Sequence, residues 1–249
     1  MSASGKCWCP RSEGRTSLTT WHIHMLNARH ELTRILPEIR QAAREAVTQA
    51  SVHADLPDFD LVVKADPEGC IPGLGVGGFA PTPGLIEIKL DPDRFAAPML
   101  VRTLIHEMHH LIRWDGPGYG RSLGEALVSE GLAGHFVLQV LGGEPDRWDA
   151  TTPAQGSVRA AMNEWSRRDY DHARWFFGGG DLRKWTGYGL GHRLIAEHLS
   201  RHPDDNAVTL ACVQAEALRP VMRRLAGTEG AAQNAEDSST EGEDKADGA

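Results

Sequence analysis

Residues 104–114 read Leu-Ile-His-Glu-Met-His-His-Leu-Ile-Arg-Trp. No other stretch restricts the chain so much. Leu100, Leu104, Leu111 and Ile112 flank its histidines with apolar side chains, so 96–114 is expected to form a helix packed into the core. That helix must then carry three histidines and a glutamate within five positions. Imidazole and carboxylate groups taken out of water are unfavourable unless something pairs with them or binds them. His106 and His110 lie four apart, which puts both rings on one side of the helix, one turn apart. Glu107 lies about 100° further round.

The rest of the chain can be read around this helix. Trp21, Ile23 and Met25 alternate with His22 and His24, a strand pattern. From 28 to 51 the apolar residues recur at helical spacing, with Pro37 inside and expected to kink the helix. "FDLVVKAD" reads as a buried strand, and strands follow around 75–80 and 85–90. Residues 122–141 read as a second helix, with Ser122 as N-cap and Gly142-Gly143 as the stop. Further helices are expected over 154–177, 188–201 and 205–225, with a glycine break at 178–180. Strands first and helices afterwards predict an α+β fold, with a small mixed or antiparallel sheet on a helical core. The expected organisation is a flexible extension over 1–16, one domain over 17–226 and an acidic disordered tail over 227–249.

Composition excludes some functions. The formal net charge is -8, and much of it lies beyond Glu229, so no basic surface calls for nucleic acid. No run of 18 apolar residues predicts a membrane span, and no apolar stretch follows Met1. Cys7, Cys9, Cys70 and Cys212 are too scattered to read as a disulfide framework, so a cytoplasmic location is expected. "GLGVGG" at 73–78 matches the spacing of a dinucleotide loop. A strand follows where a helix is required, so it reads instead either as a plain glycine-rich hairpin or as a glycine-rich edge strand bordering the cleft, to which an extended peptide could add.

His106-Glu107-x-x-His110 is the H-E-x-x-H arrangement, in which two imidazoles hold Zn²⁺ and the glutamate activates the metal-bound water. His109 is read as a neighbour of the site. A third ligand is needed, and the next helix offers Glu125, Glu130 and His135. Glu125 stands near the helix start, where a carboxylate is favoured anyway. Glu130 lies mid-helix among Leu127, Leu132 and Ala133, and the small residues Gly131, Ala133 and Gly134 would let two helices approach. Glu130 is therefore the preferred ligand. Arg113 and Gly116 occupy the positions that the longer metzincin motif gives to glycine and histidine, which excludes that class.

"HEMHH", "SEGLAGHF" and "GYGLGHRLI" together resemble the gluzincin metallopeptidases. More closely, they resemble a bacterial family of predicted Zn-dependent proteases (YjaZ-like, of unknown function), over about 60–220. The resemblance implies a zincin-like core, His106, His110 and Glu130 as zinc ligands, and Glu107 as general base. One position departs from it: thermolysin-like members carry an acid four residues after the ligand glutamate, and here that residue is Gly134. Tyr188, then His192, is the expected donor to the oxyanion. Trp165, Trp175, Phe176, Phe177 and Trp185 are expected to be mainly core. The function so implied is zinc-dependent hydrolysis of a peptide or protein, without nucleic-acid or membrane partners. The alternative is a metal-binding or interaction domain that keeps the helix without the chemistry.

Overall fold

The computed structural model describes residues 19–243, with side chains as far as 229. Cys7, Cys9, the 1–16 extension and the last six residues lie outside the described part. Strand β1 (Trp21–Leu26) leads through α1 (Leu36–His53) into β2 (Phe59–Ala65), and β1 and β2 pair in parallel. Strands β3 (Val76–Thr82) and β4 (Leu85–Leu90) form a hairpin whose second strand lies parallel to β2. The sheet order is β1-β2-β4-β3, so β3 is an edge. The sheet is mixed and the fold is α+β, as expected. "GLGVGG" runs into β3 and not into a helix.

The period of two decides which face is buried. Phe59, Leu61 and Val63 of β2 and Ile86, Ile88 and Leu90 of β4 are all buried. Their register stacks Ile23, Leu61 and Ile86 in one row and Met25, Val63 and Ile88 in the next. This face forms one core with Ile39, Ala42, Ala43, Ala46 and Ala50 of α1 and with Leu100, Leu104, Ile105, Met108 and Leu111 of α2 (Ala97–Trp114). Each of the larger side chains contributes roughly 1.5–3 kcal/mol by leaving water. Pro37 stands in the first turn of α1, where its missing N–H is no loss, so it starts the helix and does not kink it. Pro98 opens α2 in the same way.

The remaining described helices are α3 (Leu123–Leu141), α4 (Ser157–Glu164), α5 (His172–Phe176), α6 (Thr186–Arg201) and α7 (Ala215–Glu243). Two expectations fail here for local reasons. The single helix expected over 154–177 is two short ones, because Asp171 caps a new start by accepting the Arg174 N–H at 2.9 Å. The helix expected from 205 begins only at Ala215. Asn206 takes the N–H groups of Val208 and Thr209 on its side chain, which holds a turn there. At the other end α7 continues past 225 to Glu243.

By contacts the chain forms two compact units. The first is Met1–Tyr119, Leu132–Pro145 and Pro203–Val213, and the second is Gly120–Gly131, Asp146–His202 and Gln214–Ala249. Helix α3 is continuous through both, changing units after Gly131. In the second unit Trp165, Trp175 and Phe176 are buried, Trp185 is half-buried and Phe177 is exposed. Cys70 is a free thiol. No helix among the described residues is long and apolar enough to cross a membrane.

Candidate metal centre

Helix α2 is buried nearly all round, so its polar residues sort by angle. At about 100° per residue His109, Arg113, His106, His110 and Glu107 follow one another around one side of it. All five are buried. His109 and Arg113 serve the segment 203–213. The His109 Nε2–H donates to the Ala207 carbonyl at 3.0 Å and the Arg113 Nη1–H donates to the Ala211 carbonyl at 2.9 Å. Burial pushes the pKa of His109 well below the usual imidazole range, so the ring is a neutral structural anchor. His109 is thereby committed away from a ligand role.

His106 and His110 turn their Nε2 atoms towards each other, 3.2 Å apart. Two imidazole nitrogens held by one tetrahedral Zn²⁺ at about 2.0–2.1 Å would stand about 3.3–3.4 Å apart. His106, His110 and Glu130 could hold a metal ion, since one ligand atom from each lies within 4.8 Å of the others. The donor set, two imidazoles and one carboxylate, all buried, is the chemistry that Zn²⁺ takes. Neither His109 nor His135 belongs to this group among the described residues.

Glu125, the rival third ligand, is engaged elsewhere. Its Oε2 accepts from the N–H groups of Arg121 and Ser122 at 2.8 Å and from the Ser122 hydroxyl at 2.9 Å. The Glu125 N–H donates to Ser122 Oγ at 3.3 Å, so Ser122-x-x-Glu125 closes a capping box at the start of α3. Burial raises the Glu125 carboxyl, but these bonds outweigh it and hold the group below its ordinary range.

Glycine sets two close approaches. A Cβ on Gly78 of β3 would stand 2.7 Å from Glu107 Oε1 and 2.8 Å from its Cγ, so the edge strand lies directly against the carboxylate. In the second unit, a Cβ on Gly131 would overlap the Gly191 carbonyl of α6, and one on Gly191 would overlap the Leu127 carbonyl. Helices α3 and α6 therefore touch backbone to backbone beside Glu130, and His192 is the next residue along α6.

Tyr188 and His192 lie one turn apart on α6, both half-buried. The Tyr188 ring meets Phe176 edge-on at 5.0 Å. Sequence reasoning missed the chain's other two tyrosines. Tyr119 lies 5.5 Å from the His110 ring. The Tyr170 hydroxyl and His172 Nδ1 are 3.0 Å apart, and His172 stacks on Phe176 at 4.5 Å. Burial and then the charges of Glu130 and Glu125 push the Tyr170 phenol up to about 12. Burial lowers His172, with Glu130 pulling the other way. Both stand in loops or at the start of a one-turn helix, where no periodic signal marks them.

Fold and site define an α+β protein whose buried helix and its successor bring together two histidines and a glutamate that could hold a metal ion. The chain belongs to the family described as predicted Zn-dependent protease (DUF2268), whose model matches residues 39–219. It is 32% identical over 99 residues to the uncharacterized protein YjfC of Bacillus subtilis (strain 168). That match takes in 39% of this chain and 33% of YjfC, so the chain spans about a third of that relative's length. No solved structure matches.

Proposed function

We propose that the protein is a zinc-dependent peptidase of gluzincin type, with His106, His110 and Glu130 as ligands and Glu107 as general base. The observation that carries this is the pair of buried Nε2 atoms at 3.2 Å with the Glu130 carboxylate beside them. A zinc ion held there supplies Lewis-acid chemistry, polarising a carbonyl and making water more acidic. The Glu107 carboxylate, on the same helix and offset from both histidines, accepts the proton of the attacking water and returns it to the leaving amine. Gly78 keeps β3 close to that carboxylate, which suits an extended peptide laid along the strand.

The oxyanion needs a hydrogen-bond donor. Tyr188 and His192 of α6 remain candidates, and Tyr170 joins them, since burial keeps its phenol protonated and His172 orients it. Tyr170→Phe and Tyr188→Phe, assayed for kcat and KM, separate them. The donor's loss lowers kcat by about 10²–10³-fold with KM little changed. If neither variant loses tenfold, the donor is not a tyrosine at these positions.

The first test is zinc content by mass spectrometry on the protein and on Glu130→Ala and Glu125→Ala, purified in parallel. Near-stoichiometric zinc, lost with Glu130→Ala and kept with Glu125→Ala, is expected. Glu125→Ala instead weakens the start of α3, at about 0.5–2 kcal/mol of stability. A protein that takes up no zinc at this site when zinc is supplied would remove the enzyme reading.

A further inference from the structure

The C-terminal end of α6 and the turn after it carry a second group of side chains that could hold a metal ion and that the proposed hydrolysis does not use. His198 and His202 are one turn apart, and their rings stack at 4.2 Å with an interplanar angle of 11°. Asp205 follows three residues later. One ligand atom from each of the three lies within 4.8 Å of the others, and the set shares no residue with His106, His110 and Glu130. The whole group lies within eight consecutive residues, so the last turn of a helix and the turn after it are enough to assemble it.

A hydrogen bond makes this more than a chance pair of surface histidines. His202 Nδ1 lies 2.9 Å from the His198 carbonyl oxygen. A carbonyl only accepts, so Nδ1 carries a proton and Nε2 is the ring nitrogen that can turn a lone pair to an ion. A ring nitrogen tied to a backbone carbonyl is how a ligating histidine is fixed in tautomer and orientation. The helix end adds to this. Its last carbonyls carry the negative end of the helix dipole, which favours a cation. Two imidazoles and one carboxylate suit borderline transition ions such as Zn²⁺, Ni²⁺ or Cu²⁺ over Mg²⁺ or Ca²⁺, which take oxygen ligands. His202 is exposed and the other two are half-buried, so an ion has access from solvent and keeps water on its open positions.

We propose that His198, His202 and Asp205 form a second divalent transition-metal site, independent of the one proposed for catalysis.

The test is zinc titration of the chelator-stripped full-length protein, counted by native mass spectrometry and by competition with a metal indicator. The protein is compared with His202→Ala, Asp205→Asn and the His106→Ala/His110→Ala pair. Two ions are expected on the unmodified protein. His202→Ala is expected to bind one fewer, with circular dichroism unchanged because the side chain is exposed. Asp205→Asn is expected to weaken the same ion at least tenfold. The paired variant keeps the α6 ion. If the catalytic assignment alone is wrong, the paired variant titrates like the unmodified protein while His202→Ala still loses its ion. The proposal is overturned if His202→Ala and Asp205→Asn both bind as many ions, as tightly, as the unmodified protein.

Discussion

Glu107→Gln is expected to lower kcat for hydrolysis of an unfolded protein or a quenched peptide by about 10²–10⁴-fold, the usual contribution of a general base. Zinc content is expected to stay at its original level. The substitution is nearly isosteric and keeps an oxygen that can accept a hydrogen bond, so α2 and the contact with Gly78 are retained. What disappears is the ability to take a proton. A drop in activity with zinc intact separates the base from the ligands, whose loss removes metal and activity together. Activity within tenfold of the unmodified protein would end the assignment of Glu107 as base. Loss of zinc from Glu107→Gln would move Glu107 into the ligand set.

Gly131→Ala is expected to destabilise the protein, although alanine is the better helix former. Propensity alone would favour the change by about 1 kcal/mol. Against this, the new methyl group falls on the Gly191 carbonyl, and the obstacle is backbone and not a movable side chain end. Helices α3 and α6 must separate, and such overpacking costs about 1–3 kcal/mol or more before any other loss. A net cost of about 2 kcal/mol corresponds to a fall in Tm of about 4–8 °C for a chain of this size. Because Glu130 is the adjacent residue, zinc affinity is expected to fall as well. Gly227→Ala is the control. That glycine is in α7 with nothing within 4 Å of a Cβ, so only the propensity gain remains and Tm should not drop. Gly131→Ala and Gly227→Ala behaving alike would show that the contact with α6 does not constrain α3.

Much of the fold was legible because the deciding signals are local. The period of two in β2 and β4, the apolar flanks of α2, and Ser122 at the head of α3 all act within a few residues of themselves. Pro37 misled because the same residue breaks a helix interior and suits a first turn, and only the true start distinguishes the two. The helix expected over 205–225 takes in residues 205–213 because their apolar residues suit one. Two of its carbonyls are bonded instead to His109 and Arg113, 98 residues earlier in the chain, and nothing local announces that. The same distance hid the role of His109, which the sequence could place only beside His106 and His110.

The site divides in the same way. His106, Glu107 and His110 follow from spacing on one helix, and Glu130 offers a ligand atom within 4.8 Å of those of His106 and His110. Glu125 was set aside for its place near the helix dipole. The fuller reason is the Ser122-x-x-Glu125 box, itself a sequence signal. Tyr119, beside His110, and Tyr170 and His172, which feel the charge of Glu130, stand in loops and a one-turn helix, where position depends on tertiary packing and no period exists to read.

Edge strands invite other chains to pair with them, and β3 shows how narrowly that invitation can be drawn. The Val76 carbonyl is taken by the Ile71 N–H at 2.9 Å, and the Ala80 carbonyl by the Trp114 indole N–H at 3.1 Å. Pro81 and an irregular register between Phe79 and Thr82 blunt the far end. By the two-residue repeat of a strand, Gly78 turns its own N–H and C=O the same way as Val76. The edge therefore offers a visiting strand one station and not a ladder. A second copy of the chain would find too little there to grow a fibril, and the extended peptide of the proposed function would meet the edge at one residue, in one register.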